Sequence, residues 1–171
     1  MQNSVEGDAS FRQESGLSGF STSFDTTIAI ESSNATQGAG ALRADFTNVT
    51  ANVNTNQVGG MVYYEFSSPV DLSEYKNISF DYWFSYAVTG SAGLQVNFVT
   101  NGKDDGYNFL IPLNVSQPGW HTTVINMSNP SATANSPDWS NIKALRFTYF
   151  NYSGATSPDF IMFDNLQAIK Y

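Results

Sequence analysis

The stretch that most limits what this chain can fold into is Leu145-Arg146-Phe147-Thr148-Tyr149-Phe150. It alternates without a break, so an extended strand puts Leu145, Phe147 and Tyr149 on one face and Arg146, Thr148 and Phe150 on the other. The first set demands a core. The second is a cation, a hydroxyl and an aromatic ring side by side, which makes a poor core and a good surface for a polar, ring-shaped ligand.

The same two-faced pattern recurs. Over Met61–Phe66, Val62, Tyr64 and Phe66 oppose Met61, Tyr63 and Glu65. Over Ile78–Tyr86, Ile78, Phe80, Tyr82 and Phe84 oppose Ser79, Asp81, Trp83 and Ser85. Leu94–Thr100 sets Leu94, Val96 and Phe98 against Gln95 and Asn97, and is expected to pair with the preceding strand across a Gly90-Ser91-Ala92-Gly93 turn. Further strands are expected over 24–30, 41–46, 107–113, 120–127 and 160–169, with a short one in the first twenty residues. Residues 34–40 read as a turn and 47–60 as a long connection. The 69–75 loop carries one expected helical turn at Asp71–Glu74. Asn101–Gly106 has hairpin chemistry, and residues 128–141 form a loop that carries Trp139. Nine to eleven short, regularly spaced strands without helical periodicity mean an antiparallel sandwich or barrel.

The chain has 171 residues, enough for one domain with a sizeable core, and the whole of 1–171 reads as a single module. Its net charge of −8 repels nucleic-acid backbones and anionic membranes, so neither is an expected partner. Aromatic residues reach 15% against 13% charged, the balance of a rigid β domain rather than of a disordered tail. There is no cysteine, which excludes disulfides, thiolate metal sites and a cysteine nucleophile. The start, Met1-Gln2-Asn3-Ser4, reads as an initiator placed before a module cut from something longer. Sequons at Asn34, Asn48, Asn77, Asn114, Asn126 and Asn151 follow from a composition rich in Asn, Ser and Thr.

Catalysis finds little footing. The single histidine, His121, has no Gly-x-Ser-x-Gly elbow to serve and is too few for a catalytic zinc. A glycosidase needs two carboxylates roughly 5–10 Å apart. The strand-borne acids are Glu65 and Asp81, and the favoured reading has Asp81 pairing with Arg146 instead. A catalytic glycosidase or polysaccharide lyase is the alternative, and an adhesive or structural sandwich a third. Near the ends, Glu6 and Asp8 in the first strand and Asp164 in the last can meet, with carbonyl oxygens from the Thr36-Gln37-Gly38 turn. Such hard oxygen ligands suit Ca²⁺; two unrelated surface acids are the other reading.

The order of motifs is what resembles a known family. Glu6 and Asp8 come first, then Gln37-Gly38-x-x-Ala41-Leu42-x-Ala44-x-Phe46, then Gly59-Gly60-x-Val62-Tyr63-Tyr64-x-Phe66. Pro69-Val70-Asp71-Leu72-Ser73 and Ile78-Ser79-Phe80-Asp81-Tyr82-Trp83 follow, then Gly119-Trp120-His121-Thr122 and Phe160-Ile161-Met162-Phe163-Asp164-Asn165-Leu166. Over nearly its whole length the chain resembles β-jelly-roll carbohydrate-binding modules with a galactose-binding-domain-like fold, most of all those like family 11. The resemblance implies an all-β, antiparallel two-sheet jelly roll. It implies a non-catalytic, monomeric module of a secreted polysaccharide-degrading enzyme, attached to the parent enzyme's other domains. It implies a structural Ca²⁺ held by Glu6, Asp8, Gln37 and Asp164. It also implies that one polysaccharide chain, a β-glucan or hemicellulose, lies in a groove on the concave sheet. Mapped here, that groove is Tyr63, Asp81, Trp83, Gln95, Asn97, Arg146, Thr148 and Phe150. Tyr107 or Asn108 joins them from a strand that is apolar on both faces.

Overall fold

The computed structural model describes residues 17–23, 26–45, 60–85, 87–102, 105–115, 117–151 and 160–170. In chain order the strands are β1 (Phe20–Ser23), β2 (Thr27–Glu31), β3 (Ala41–Asp45), β4 (Met61–Val70), β5 (Asn77–Phe84) and β6 (Val88–Val99). They continue with β7 (Gly106–Val115), β8 (Gly119–Asn126), β9 (Ala132–Ala134), β10 (Ile142–Asn151) and β11 (Phe160–Ile169). Trp139–Asn141 forms a single 3₁₀ turn whose N-terminus is capped by the Asp138 carboxylate. The helical turn expected at Asp71–Glu74 is a tight turn instead, closed by Asp71 accepting from the Ser73 backbone and hydroxyl.

The strands form two antiparallel sheets. One has six strands in the order β1-β4-β10-β6-β7-β9, and the other has five in the order β2-β3-β11-β5-β8. This is the all-β, two-sheet jelly-roll sandwich that the family resemblance implies, and one of the two architectures, sandwich or barrel, that the strand pattern allows. The inward residues are the ones the pattern assigned. Val62, Phe80, Phe84, Leu94, Val96, Tyr149 and Phe163 have no exposure. Phe147 from the six-stranded sheet meets Phe80 edge-on at 5.5 Å and Phe163 at 4.9 Å from the five-stranded sheet. The two layers thus interlock through one aromatic cluster.

One expectation about connection is overturned. β5 and β6 are not a hairpin. β5 pairs with β11 and β8, while β6 pairs with β10 and β7. The Gly90–Gly93 segment is no turn but lies inside β6, which runs on to Val88 through a register shift against β7. The chain therefore crosses from one sheet to the other between β5 and β6, which alters what the outer faces carry.

Candidate functional site

The outer face of the six-stranded sheet is built in rows that run across the strands, because directly opposed residues share a face. One row reads Ser21, Tyr63, Arg146, Asn97, Asn108 from β1 through β4, β10 and β6 to β7. The next reads Met61, Thr148, Gln95, Leu110, and a third reads Phe150, Gly93, Pro112. With strands about 4.8 Å apart, Tyr63 to Asn108 spans roughly 14 Å. Tyr63, Arg146, Thr148, Phe150, Gln95 and Asn108 are all half-buried, so each shows part of its side chain to solvent.

The amides are organised. Gln95 Nε2 donates to Asn108 Oδ1 at 3.1 Å, and Asn97 Nδ2 donates to the same oxygen. Asn108 Oδ1 is thereby filled, which leaves its amide group to point its donors elsewhere. Asn97 itself is fully buried, and its Oδ1 has no donor among the described residues. It therefore holds Asn108 in place rather than touching a ligand. Burial pushes the Tyr63 phenol above its ordinary value, with the Glu65 carboxylate acting the same way and the Arg146 guanidinium opposing. Tyr63 is thus a neutral hydroxyl donor and an aromatic plate next to a cation.

Three sequence assignments to this face are corrected. Asp81 and Trp83 lie on β5 of the five-stranded sheet, so neither adjoins Arg146, and the expected Asp81–Arg146 pair does not form. Glu65 and Asp81 are likewise on different sheets and cannot face one another as catalytic carboxylates. Tyr107 opposes Phe98 and so points to the core side, where it stacks on Trp139 with ring centroids 3.9 Å apart and donates its hydroxyl to the Pro137 carbonyl at 2.9 Å. The residue that β7 gives to the outer face is Asn108.

Trp83 instead joins a stack on the outer face of the five-stranded sheet. Its ring lies 5.3 Å from Phe160, and the Arg43 guanidinium sits 3.6 Å from the Phe160 centroid. Beneath them Met162, opposed to both Arg43 and Trp83, is 1% exposed. The stack is a cover for an outer-face methionine.

Asp81 has a different neighbour, Asp164, which it opposes directly across β5 and β11. Both are buried, at 6% and 0% exposure. A register shift follows Asp164, and Asn165 takes a left-handed backbone there, so this stretch of β11 bends where the carboxylates meet. Asp164 Oδ2 accepts from the Thr36 amide at 2.6 Å, the Thr36 hydroxyl at 2.9 Å and the Gln37 amide at 2.9 Å, while Oδ1 accepts from the Asn165 amide at 2.7 Å. Asp81 Oδ1 accepts from the Thr122 hydroxyl at 2.6 Å, and its Oδ2 from Asn165 Nδ2 at 3.1 Å and the Thr36 hydroxyl at 3.0 Å. The turn at Thr36-Gln37 thus offers its backbone N–H groups to the Asp164 carboxylate. Neither acid is paired with a cation among the described residues. Glu6 and Asp8 lie outside the described residues.

The fold is that of several solved carbohydrate-binding modules. A family 11 module from Clostridium thermocellum in complex with a β-1,3-1,4-mixed-linked tetrasaccharide superposes with a TM-score of 0.59 over 90% of both chains, at 16% identity. A module specific for non-crystalline cellulose, CBM28, gives 0.64 over 96% of this chain and 97% of that one, at 14% identity. The Caldicellulosiruptor saccharolyticus CBM27-1 in complex with mannohexaose gives 0.58 over 90% and 91%, at 13% identity. No family sequence profile and no curated protein sequence matches the chain.

Proposed function

We propose that the chain is a non-catalytic carbohydrate-binding module whose six-stranded sheet holds a single polysaccharide chain, a β-glucan or hemicellulose, on its outer face. The observation that carries this is the row Tyr63–Arg146–Asn97–Asn108 beside Thr148, Gln95 and Phe150. A pyranose ring stacks its C–H face on an aromatic plate and hydrogen-bonds its hydroxyls in the ring plane. Tyr63 and Phe150 supply plates, and the Arg146 fork and the amides of Gln95 and Asn108 supply planar donors and acceptors. Modules of the same fold bound to a mixed-linkage tetrasaccharide and to mannohexaose support the ligand class. The non-catalytic reading is supported by the acids: among the described strands of that sheet Glu65 is the only carboxylate, where glycoside hydrolysis ordinarily uses two. In this reading the module is monomeric, extracellular, and carried by a polysaccharide-degrading enzyme.

The test is affinity electrophoresis against soluble mixed-linkage β-glucan, hydroxyethylcellulose, mannan and xylan. Retardation by at least one without release of reducing ends is expected. Arg146→Ala should cut that affinity about ten- to a hundredfold, the worth of a partly desolvated donor of roughly 1–3 kcal/mol, while the protein stays folded. No retardation by any polymer, or steady release of reducing ends, overturns the proposal.

A Ca²⁺ ion at the second sheet belongs to the same reading. Two buried carboxylates without a cation partner converge on one Thr36 hydroxyl, which has a single proton to give and cannot donate fully to both. Buried anions left in this way favour a bound cation, and oxygen donors of this kind suit calcium. Asp164 and Asp81 would hold it, with oxygens of the Thr36-Gln37 turn nearby. Its role would be structural, tying the 36–37 turn to β5 and β11.

A further inference from the structure

Phe150 and Gly93 are direct cross-strand partners on the proposed glycan face. A side-chain carbon on Gly93 would fall 2.6 Å from Phe150 Cε2 and 3.0 Å from Cε1, and closer still to Cζ. Those three atoms are the far end of the ring. An upright phenylalanine carries that end away from the sheet, so this ring is laid down from β10 across β6. Glycine is not placed here for its backbone, since Gly93 is absent from the glycines with a left-handed conformation. In the interior of a strand it costs stability and removes packing, and its usual excuse is a close approach from above. The next residue in the row, Pro112 of β7, is exposed, so the laid-down ring continues towards a second apolar ring.

We infer that Gly93 is a positioning residue: it gives Phe150 the space to lie flat and present its face, rather than its edge, to a sugar. This rests on the proposed glycan face. Any side chain at 93 would lift the ring and turn the plate into an obstacle, without removing an atom that meets the ligand. The structure thereby assigns a determinant of binding to a residue that makes no ligand contact.

The experiment compares wild type, Gly93→Ala, Phe150→Ala and the double variant, using whichever of the four soluble polysaccharides retards the wild type. Phe150→Ala should weaken binding about tenfold, Gly93→Ala by at least as much, and the double variant no more than Phe150→Ala alone, because the two changes act through one ring. Melting curves are read in parallel. Since Phe150→Ala removes the obstructing ring, the double variant should melt above Gly93→Ala even if the latter folds poorly. Wild-type affinity in Gly93→Ala, an additive loss in the double variant, or a double variant that melts no higher than Gly93→Ala each overturns the inference while leaving the glycan face standing. A wild type retarded by none of the polymers removes both.

Discussion

Replacing Asp164 by alanine tests the second sheet most directly. The carboxylate accepts from three backbone amides, those of Thr36, Gln37 and Asn165, and from the Thr36 hydroxyl. Alanine strips all four at once. A buried N–H left without an acceptor costs roughly 1–3 kcal/mol, so three would cost about 3–9 if water stayed out. Thr36 is exposed, so water reaches part of the turn and the low end of that range is expected, about 3–5 kcal/mol. Relief of the Asp81–Asp164 repulsion offsets some of this, and loss of a bound cation adds to it. For a domain of this size each kcal/mol moves the melting temperature by about 2–4 °C, so the variant should melt roughly 10 °C below wild type. The proposed calcium would act through mass action: at a hundredfold excess over its Kd it would stabilise the folded state by about 2.7 kcal/mol. Differential scanning calorimetry with and without chelator separates the two contributions. Wild type should lose several degrees in chelator, and Asp164→Ala should lose nothing further. An Asp164→Ala protein that melts like wild type refutes the hydrogen-bond reasoning. Equal chelator shifts in both proteins refute a calcium ion held by Asp164.

Two further outcomes follow from where residues sit. Trp83→Ala should leave polysaccharide affinity unchanged while lowering stability by about 1–3 kcal/mol, since the ring covers Met162 on the five-stranded sheet; a tenfold loss of affinity in the folded variant would return Trp83 to the binding site. Burial raises the phenols of Tyr63, Tyr82 and Tyr107, so the folded state favours their neutral form. That stability is fully present below the unfolded tyrosine pKa of about 10 and is lost as pH rises through the raised folded values. The denaturant midpoint should therefore fall as pH climbs past about 10, and Tyr63→Phe should remove one late phase from the ultraviolet titration.

Alternation made the faces legible. Val62, Phe80, Leu94 and Phe147 are inside because an extended chain puts every second residue there, and Tyr63, Arg146, Thr148 and Phe150 are outside for the same reason. Alternation says nothing about which sheet a strand joins. Ile78–Phe84 and Leu94–Val99 carry the same pattern and are neighbours in sequence, yet they end in opposite layers. That single ambiguity misplaced Asp81 and Trp83 beside Arg146. Parity also failed on β7, where Tyr107 and Asn108 alternate in a run apolar on both faces and only the register against Phe98 and Asn97 decides between them. The Asp81–Asp164 pairing joins residues about half the chain apart and has no local signature, although an aspartate flanked by Phe80 and Tyr82 is an unusual thing to bury. Gly93 did carry a signal, read as a turn: a glycine at the end of a Gly-Ser-Ala-Gly run marks a close approach as readily as a reversal.

The two outer faces differ most in how they treat charge. The chain carries 15 acidic residues against 7 basic ones, yet the described strands of the six-stranded sheet hold one acid, Glu65, with Lys143 and Arg146. Glu65 is the one carboxylate on the described strands of the sheet that carries the amides and rings, while the opposite sheet buries two carboxylates together. A surface-exposed fixed charge acts over about 8 Å in physiological salt, so a charged ligand on the proposed face would meet, among the described strands, Arg146, Glu65 and neutral groups, and the net negative charge would repel an anion more strongly at lower salt. A polyanionic glycan would be slowed on approach and would find a single guanidinium for its many charges. An uncharged chain pays neither penalty and can use every amide and ring in the rows. On the proposed glycan face this charge balance therefore favours a neutral polysaccharide, to which the Arg146 guanidinium would offer a planar hydrogen-bond fork.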